Sequence, residues 1–257
     1  MNTIELIHPD RKKPRMRPLK ALGHFRNLIA DKEDTAQVFY TIEALNGQAL
    51  LWGLEKFAAT EQGKARISER RDLVALLDDH ETIAKCPAGS VGAAYLEFMR
   101  REGLSAAGLV EEYNRFNKDA EQFDDLLEWF GNRLRDTHDL LHVLTGYGRD
   151  ALGEVCVLGF SHGQMRGLGV KFVAYMGARQ IKKLAPRGAP VMAAMGEGKR
   201  HGKIAQWVVL EDIPALLAEP LDAARKRLGI LPPTTYEKVH EMFRQAGQEP
   251  MEVLAAE

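Results

Sequence analysis

Apolar residues recur every three to four positions through most of this 257-residue chain, and this spacing is the strongest constraint on its fold. Such a period places an apolar stripe along a helix, which must pack against another element. Ser90 and Gly103 act as start and stop signals for one such segment. The spacing predicts helices over residues 19–30, 35–45, 66–84, 91–101, 116–139 (one helix or two, interrupted near Gly131), 152–160, 216–228 and 236–246.

Strand signals are few. Residues 204–210 (I-A-Q-W-V-V-L) combine β-branched side chains with a short alternation, which is typical of a strand or an extended segment. Residues 186–202 are rich in Gly, Ala and Pro, which predicts irregular structure. The sequence therefore predicts a mostly α fold with little or no β structure. We expect one helical domain over residues 18–232, between a basic N-terminal tail (1–17) and a C-terminal helix and tail (233–257).

The composition is that of an ordinary globular protein, with 45% hydrophobic residues and a net charge of −1. Because the chain has no overall basic field and no glycine-rich phosphate loop, neither nucleic acid nor a nucleotide cofactor is expected. No apolar run approaches the roughly 18–20 residues of a membrane span. Residues 1–17 have neither a signal-peptide core nor a serine. We expect a cytoplasmic, bacterial-type chain without a transit peptide, with Cys86 and Cys156 as buried thiols.

One short stretch carries candidate chemistry: His138, Asp139 and His142, followed by Glu154. On a helix, the two histidines lie one turn apart on one face, with Asp139 at its edge. A turn broken by glycines then leads to a second helix, whose first turn presents Glu154. Imidazoles and carboxylates from facing helices are common ligands of divalent metals, and both Zn²⁺ and Fe²⁺ suit them.

The same four residues can instead form surface ion pairs or a buried hydrogen-bond cluster. Four apolar neighbours, however, predict a buried helix: Leu140, Leu141, Val143 and Leu144. Unpaired polar groups there would cost roughly 1–3 kcal/mol each. This favours metal binding by His138, His142 and Glu154, with Asp139 either a further ligand or a group that orients an imidazole.

The motif H-D-x-x-H, eleven residues, then E resembles the signature of the fourth of the Coq proteins of ubiquinone (coenzyme Q) biosynthesis. His142 and Glu154 are separated by those eleven residues. The flanking sequence also resembles that family, at residues 87–98 (P-A-G-S-V-G-A-A-Y-L-E-F), 135–136, 144–148 (L-T-G-Y-G), 153, 220–221 and 225–230. The resemblance extends over roughly residues 18–232 and leaves both tails outside it.

The resemblance implies a helical protein in which His138, Asp139, His142 and Glu154 form a catalytic divalent-metal site, often zinc. It implies a polyprenylated 4-hydroxybenzoate-type lipid as substrate. The implied reaction is an oxidative decarboxylation, in which a hydroxyl replaces the carboxyl group at ring carbon C1, and the enzyme would be classed as a lyase. Other ubiquinone-biosynthesis enzymes are the implied partners, in a membrane-associated complex, and a homodimer is compatible with this interpretation.

Residues 168–176 form an apolar segment among four glycines: Gly163, Gly167, Gly169 and Gly177. The glycines indicate close packing between helices or, alternatively, room for an isoprenoid chain. Five basic residues share this part of the chain: Arg166, Lys171, Arg179, Lys182 and Lys183. Because an apolar face with a cationic rim suits an anionic bilayer, we expect peripheral contact with the inner face of the cytoplasmic membrane.

Two other functions are compatible with the sequence. A metal-dependent phosphohydrolase also uses adjacent His-Asp, but it needs further ligands, and the available His80 and Asp212 stand in no motif. A non-catalytic scaffold would bind the prenylated lipid for other enzymes and hold a structural metal in a closed shell. A metal with an open position facing an apolar tunnel would favour an enzyme.

Overall fold

The structure, a computed structural model, describes residues 6–12, 14–30, 36–116 and 122–254. Within these ranges the chain forms helices and no strand, so the expected mostly α, single-domain fold is confirmed. The helices are α1 Pro18–Ala30, α2 Ala36–Asn46, α3 Ala49–Ala58, α4 Glu61–Glu69, α5 Leu73–Asp78, α6 His80–Ile83, α7 Val91–Glu102, α8 Ala106–Phe116, α9 Leu126–Asp136, α10 His138–Thr145, α11 Ala151–Met165, α12 Leu168–Leu184, α13 Val191–Ile204, α14 Ile213–Ala218, α15 Leu221–Leu228, α16 Thr234–Gln245 and α17 Pro250–Val253.

Helix α11 lies in the middle of the fold and packs against α10, α12, α13 and α16. Its backbone approaches that of α13 at glycines. A Cβ at Gly198 would lie 2.4 Å from the carbonyl oxygen of Cys156, and one at Gly202 would lie 2.0 Å from that of Phe160. These separations are far below van der Waals contact, so only glycine permits this approach. Cys156 is buried in this interface, whereas Cys86 is half-buried rather than buried as expected.

The glycine-rich segment 186–202 is therefore helical from Val191 onward, and the expectation of irregular structure is wrong there. Glycine lowers intrinsic helix propensity, but the packing it permits against α11 outweighs that cost. Residues 204–210 are predicted to be a strand or an extended segment, and the structure has no strand there. Ala205–Trp207 are extended and Val208–Leu210 form one 3₁₀ turn, because the Gln206 N–H bonds to the carbonyl of Leu228 rather than to a strand.

The single helix predicted over residues 66–84 is wrong, because local signals divide it into α4, α5 and α6. Arg70 ends α4 with a φ of 39°. The carboxylate of Asp72 accepts the Ala75 N–H at 3.1 Å and begins α5, and that of Asp79 accepts the Thr82 N–H at 3.0 Å and begins α6. Such capping carboxylates favour a new helix start over continuation.

In the predicted 116–139 segment, residues 122–125 are not helical, and the helix that follows is interrupted at Thr137 rather than near Gly131, which lies inside α9. Residues 117–121 of that segment, and the predicted helix start at residue 35, lie outside the described residues. The 216–228 helix is likewise two helices, divided before Pro220. The predicted helix 91–101 is confirmed, with the Ser90 hydroxyl accepting the Ala93 N–H and Gly103 ending it at a φ of 66°.

The proposed division of the chain at residues 17/18 and 232/233 stays a prediction. Within the last part, α16 packs against α13 and α11 with Val239 and Phe243 fully buried. Among the described residues, no helix has the length and apolar character needed to cross a bilayer.

We predict that Gly202→Ala destabilises the fold. Its Cβ would meet the Phe160 carbonyl, a backbone atom that cannot rotate away, so α11 and α13 must separate. We expect a loss of about 1–3 kcal/mol in the free energy of unfolding, measured by urea denaturation. Gly196→Ala on the same helix is the matched control, because its nearest atom is an Arg200 nitrogen at 3.5 Å. Equal stability of the two variants would contradict the close packing.

Candidate metal centre

Two helices joined by residues 146–150 build the site. Helix α10 ends where Gly146 adopts a φ of 77°, a conformation that favours glycine. Helix α11 begins after Asp150, whose carboxylate accepts the N–H groups of Leu152 and Gly153. His138 and His142 lie one turn apart on α10, and Glu154 lies in the first turn of α11.

The side chains of His138, His142 and Glu154 converge, with one ligand atom of each within 4.8 Å of the others. The two Nε2 atoms are 3.3 Å apart. Oε2 of Glu154 is 3.4 Å from His138 Nε2, and Oε1 is 3.4 Å from His142 Nε2. Nitrogen and oxygen ligands at about 2.0–2.1 Å from a tetrahedral zinc ion lie about 3.3–3.4 Å from one another. These residues therefore fit a divalent ion.

The orientation of His142 directs Nε2 towards His138 and Glu154, where it could bind a metal. Its Nδ1 lies 3.0 Å from the carbonyl oxygen of Tyr147, which can only accept, so Nδ1 carries the proton. The ring also stacks on Phe98 with centroids 5.6 Å apart. A carbonyl that fixes the tautomer of an imidazole is a common feature of metal sites.

Electrostatics keep Glu154 ionised. Burial by itself raises the pKa of this carboxyl, but hydrogen bonds from His138 and His142 outweigh burial and hold the pKa well below its ordinary value. Burial by itself lowers the pKa of His138, and here the hydrogen bond and charge of Glu154 outweigh it, so the pKa is raised. The carboxylate is thus in its ligand form at neutral pH, while His138 retains a proton more readily than an ordinary histidine.

Asp139 lies apart from this group of three. It is buried in the first turn of α10, and its charge adds to burial in raising the pKa of Tyr95 on α7. A role for Asp139 as a ligand or as an orienting group stays a prediction.

A large cavity adjoins the three residues. It has a volume of about 1600 Å³, and His138 and Glu154 line it, each with 26% of its side chain exposed, whereas the His142 side chain is fully buried. This volume is larger than that of common small-molecule pockets, which measure about 300–1,000 Å³. The wall is mainly apolar and includes Val38, Phe39, Ile42, Leu109, Leu127, Leu134, Leu141, Leu158, Met165 and Val170. At the rim, Lys12, Arg15 and Arg17 are exposed and basic.

Of the four glycines predicted to leave room for a lipid, Gly167 lines the cavity, whereas Gly163 and Gly169 lie against the backbone of other helices. A Cβ at Gly163 would lie 2.4 Å from the Lys199 carbonyl, and one at Gly169 would lie 2.3 Å from that of Ile42. These two glycines serve close helix packing, the first of the two interpretations of this segment.

Several residues that shape the site were not singled out as site residues by sequence reasoning. Arg149 lies with Nε 3.6 Å from Oε1 of Glu154. Arg225 donates to the carbonyl oxygens of Val143 and Leu144 at 3.0 and 2.9 Å and so caps α10. The family-like runs 225–230 and 87–98 were the available signals for Arg225 and Phe98, whereas Arg149 carried none beyond its position near the motif.

His80 and Asp212, the further ligands that a phosphohydrolase would need, are not members of the three-residue group. Asp212 instead lies 3.2 Å from Arg66, in an ion pair.

The fold and site define a class: an all-helical protein with two imidazoles and a carboxylate in the wall of a large apolar cavity. The sequence model of the family "Coenzyme Q (ubiquinone) biosynthesis protein Coq4" matches residues 20–233, so the chain belongs to that family. The resemblance found in the sequence is confirmed at this level.

Individual relatives agree with this assignment. The chain is 31% identical over 175 residues to the rat (Rattus norvegicus) "Ubiquinone biosynthesis protein COQ4 homolog, mitochondrial", covering 66% of this chain and 61% of the relative. It is 29% identical over 104 residues to the protein of that description from Drosophila ananassae, covering 40% and 36%. The match thus spans less than two thirds of these relatives. Together they support a role in ubiquinone biosynthesis.

A crystal structure from Nostoc punctiforme, described as a ubiquinone biosynthesis protein, shares the fold. It superposes with a TM-score of 0.60 at 18% identity, covering 84% of this chain and 99% of that one.

We predict that the stabilisation conferred by Zn²⁺ grows with pH. The raised pKa of His138 gives the metal-free protein stability that is present below the ordinary value of 6.5 and is lost as pH rises through the raised pKa. The lowered pKa of Glu154 gives stability that is present above its ordinary 4.5 and is lost at more acid pH. A metal must displace the His138 proton, so the stabilisation that Zn²⁺ confers is largest above the pKa of His138.

The measurement is the shift in urea midpoint on adding Zn²⁺, at about pH 5.5 and about pH 8, on either side of the ordinary histidine pKa. A larger shift at about pH 8 is expected. An equal or larger shift at about pH 5.5 would contradict the assignment of His138 as a ligand.

Proposed function

We propose that this protein is a metal-dependent enzyme of ubiquinone biosynthesis that acts on the ring of a polyprenylated 4-hydroxybenzoate-type lipid. One observation carries the proposal: His138 and Glu154 face a cavity large and apolar enough for a prenyl chain. A substrate whose tail fills the cavity would bring its polar ring to the metal ligands.

The ligand set supports an enzyme over a scaffold. Structural zinc sites in proteins are closed by four side chains, whereas catalytic sites keep a position for water or substrate. Here three side chains converge, and two of them are partly exposed towards the cavity. A non-catalytic scaffold that binds prenyl lipids is the alternative, and the same cavity would serve it.

The reaction proposed is an oxidative decarboxylation. The bond from C1 to the carboxyl group breaks with release of CO₂, and a C1–O bond forms with one atom of dioxygen. The second oxygen atom leaves as water, and a two-electron donor supplies the electrons. A bound divalent ion would supply Lewis acidity and a template for the anionic ring. Arg149, whose side chain is 37% exposed beside Glu154, would hold the ring carboxylate.

The identity of the metal bears on the choice between enzyme and scaffold. The family resemblance favours Zn²⁺, but zinc has no redox chemistry. Two histidines and one carboxylate with open positions are equally the ligands of iron(II) oxygenases. Iron in the purified protein would therefore favour the enzyme, and zinc alone would favour the scaffold.

Peripheral membrane attachment is the second part of the proposal. Leu19 and Leu22 of α1 are 87% and 43% exposed, and Lys20 and Arg26 beside them are exposed and basic. Helix α12 carries four of the five predicted basic residues, and it adjoins α1 where Phe25 meets Phe172 with ring centroids 5.0 Å apart.

On α12, Leu168, Tyr175 and Leu184 are 47%, 44% and 59% exposed. Exposed apolar side chains among cations suit an anionic bilayer, from which a prenyl lipid would enter the cavity. We place this contact on the inner face of the cytoplasmic membrane, where the other enzymes of the pathway would join the protein.

We predict that two substitutions have independent effects, one on the metal content of the protein and the other on its lipid content. His142→Ala should abolish metal retention and decarboxylation while copurified prenyl lipid persists, because His142 is a ligand that does not line the cavity. Leu158→Trp fills the cavity one turn from Glu154, so it should lower the lipid content while metal is retained. Metal is quantified by elemental analysis, lipid by extraction and mass spectrometry, and product by chromatography.

His80→Ala, on α6, is the control for loss of a histidine and should behave as the wild type. Full activity of His142→Ala would contradict the enzymatic proposal. Retained metal and lipid with no ring chemistry in the wild type would favour the scaffold.

We predict that the chain floats with liposomes containing anionic lipid at low salt. Leu19→Ser should weaken this binding by at least about tenfold, since burying one leucine contributes about 1.5–3 kcal/mol. Leu231→Ser is the matched control, a leucine 47% exposed that lies on neither α1 nor α12. Absence of flotation at low salt, or equal loss in both variants, would count against the membrane contact.

A further inference from the structure

The C-terminal segment, residues 234–254, reaches the connection that sets the two ligand helices relative to each other. On α16, Tyr236 and His240 lie one turn apart and point inward, with only 6% and 7% of each residue exposed. Both meet Asp150, which is 1% exposed and caps α11. This segment follows the last residue, 233, matched by the Coq4 family model.

Asp150 is held by four hydrogen-bond donors. Two are the N–H groups of Leu152 and Gly153, at 3.1 and 3.3 Å from Oδ1. The third is the hydroxyl of Tyr236, which donates to Oδ2. The fourth is the ring of His240, whose Nε2 lies 3.2 Å from Oδ1. A buried carboxylate with this many donors is fixed in position, and with it the start of α11.

Two further contacts join the C-terminal segment to the same place. The Tyr236 hydroxyl also accepts the Gly148 N–H at 3.1 Å. The carbonyl of Leu254 accepts the Ala151 N–H at 2.7 Å, which satisfies the first free N–H of α11. Residues 148, 150 and 151 are thus all tied to the C-terminal segment.

These contacts bear on the metal ligands through short covalent paths. Glu154 lies one turn beyond Asp150 on α11, and His142 is oriented by the carbonyl of Tyr147, next to Gly148. The ring of Tyr236 packs edge-on against Tyr147 with centroids 5.5 Å apart. A shift of the connection would therefore change both the orientation of His142 and its distance from Glu154.

The C-terminal segment is itself firmly attached to the core. Glu197 of α13 accepts the N–H of Thr235 and the hydroxyls of Thr234 and Thr235, which holds the start of α16. Val239 and Phe243 of α16 are fully buried. Tyr236 and His240 therefore act from a fixed helix.

We propose that Tyr236 and His240, acting through Asp150, are positioning residues of the metal centre, so that the C-terminal segment sets the affinity and geometry of the metal site. The inference rests on the proposed metal site and assigns to this segment a role beyond folding. Groups that support metal ligands typically change metal affinity by about 10–100-fold when replaced.

The test uses the full-length chain with Zn²⁺ and Co²⁺ alone as probes. Zn²⁺ affinity is measured by competition with a chelator, ligand geometry by the visible absorption of bound Co²⁺, and stability by urea denaturation. Tyr236→Phe removes one hydroxyl and should weaken Zn²⁺ binding at least tenfold and alter the Co²⁺ spectrum. His240→Leu should act in the same way, and His240→Gln, which keeps an N–H donor, should restore most of the affinity.

Val239→Ala is the matched control, because it opens a cavity in the same turn of α16 without touching Asp150. It should lower the urea midpoint and leave the affinity and the Co²⁺ spectrum unchanged. Wild-type affinity in Tyr236→Phe, or an equal loss in Val239→Ala, would overturn this inference alone. A wild-type chain that binds neither ion would overturn it together with the proposed metal site.

Discussion

A carboxylate held between two imidazoles beside an apolar cavity is the interaction on which the rest of the site depends. Removing Glu154 from water is costly unless its charge is compensated, and His138 and His142 are the groups that compensate it. A divalent ion at the same place would satisfy the carboxylate and both Nε2 atoms at once. The two Nε2 atoms, 3.3 Å apart, match the edge of a tetrahedral shell, and each oxygen of Glu154 lies 3.4 Å from one of them.

The surrounding fold keeps these donors close together. Glycines on α13 permit close backbone packing against α11, so Glu154 lies on a helix that is fixed in the core. Arg225 caps the end of α10, and Asp150 caps the start of α11. The cavity then lies on the one side of the ligands that the helices leave accessible, so the same packing that buries His142 exposes His138 and Glu154.

The sequence was most informative where a function is encoded locally. The four-residue separation of His138 and His142 defines one helix face, and Ser90 and Gly103 define the ends of α7 whatever the rest of the chain does. Sequence reasoning failed where long-range packing decides. Gly198 and Gly202 look like helix breakers until α11 is known to lie against them. The division at Thr137 is instead local, since the Thr137 hydroxyl bonds to the Arg133 carbonyl four residues earlier. Tyr147 and Tyr236 contact each other beside the site, but they are far apart in the sequence and share no pattern, so the sequence did not predict their contact.

A crystal structure of the zinc-soaked protein, with anomalous diffraction recorded at the zinc edge, tests the central claim most directly. The account predicts one peak about 2.0–2.2 Å from His138 Nε2, His142 Nε2 and the Glu154 carboxylate, with a coordination position open to the cavity. A peak elsewhere, or a shell closed by four protein side chains, would contradict it.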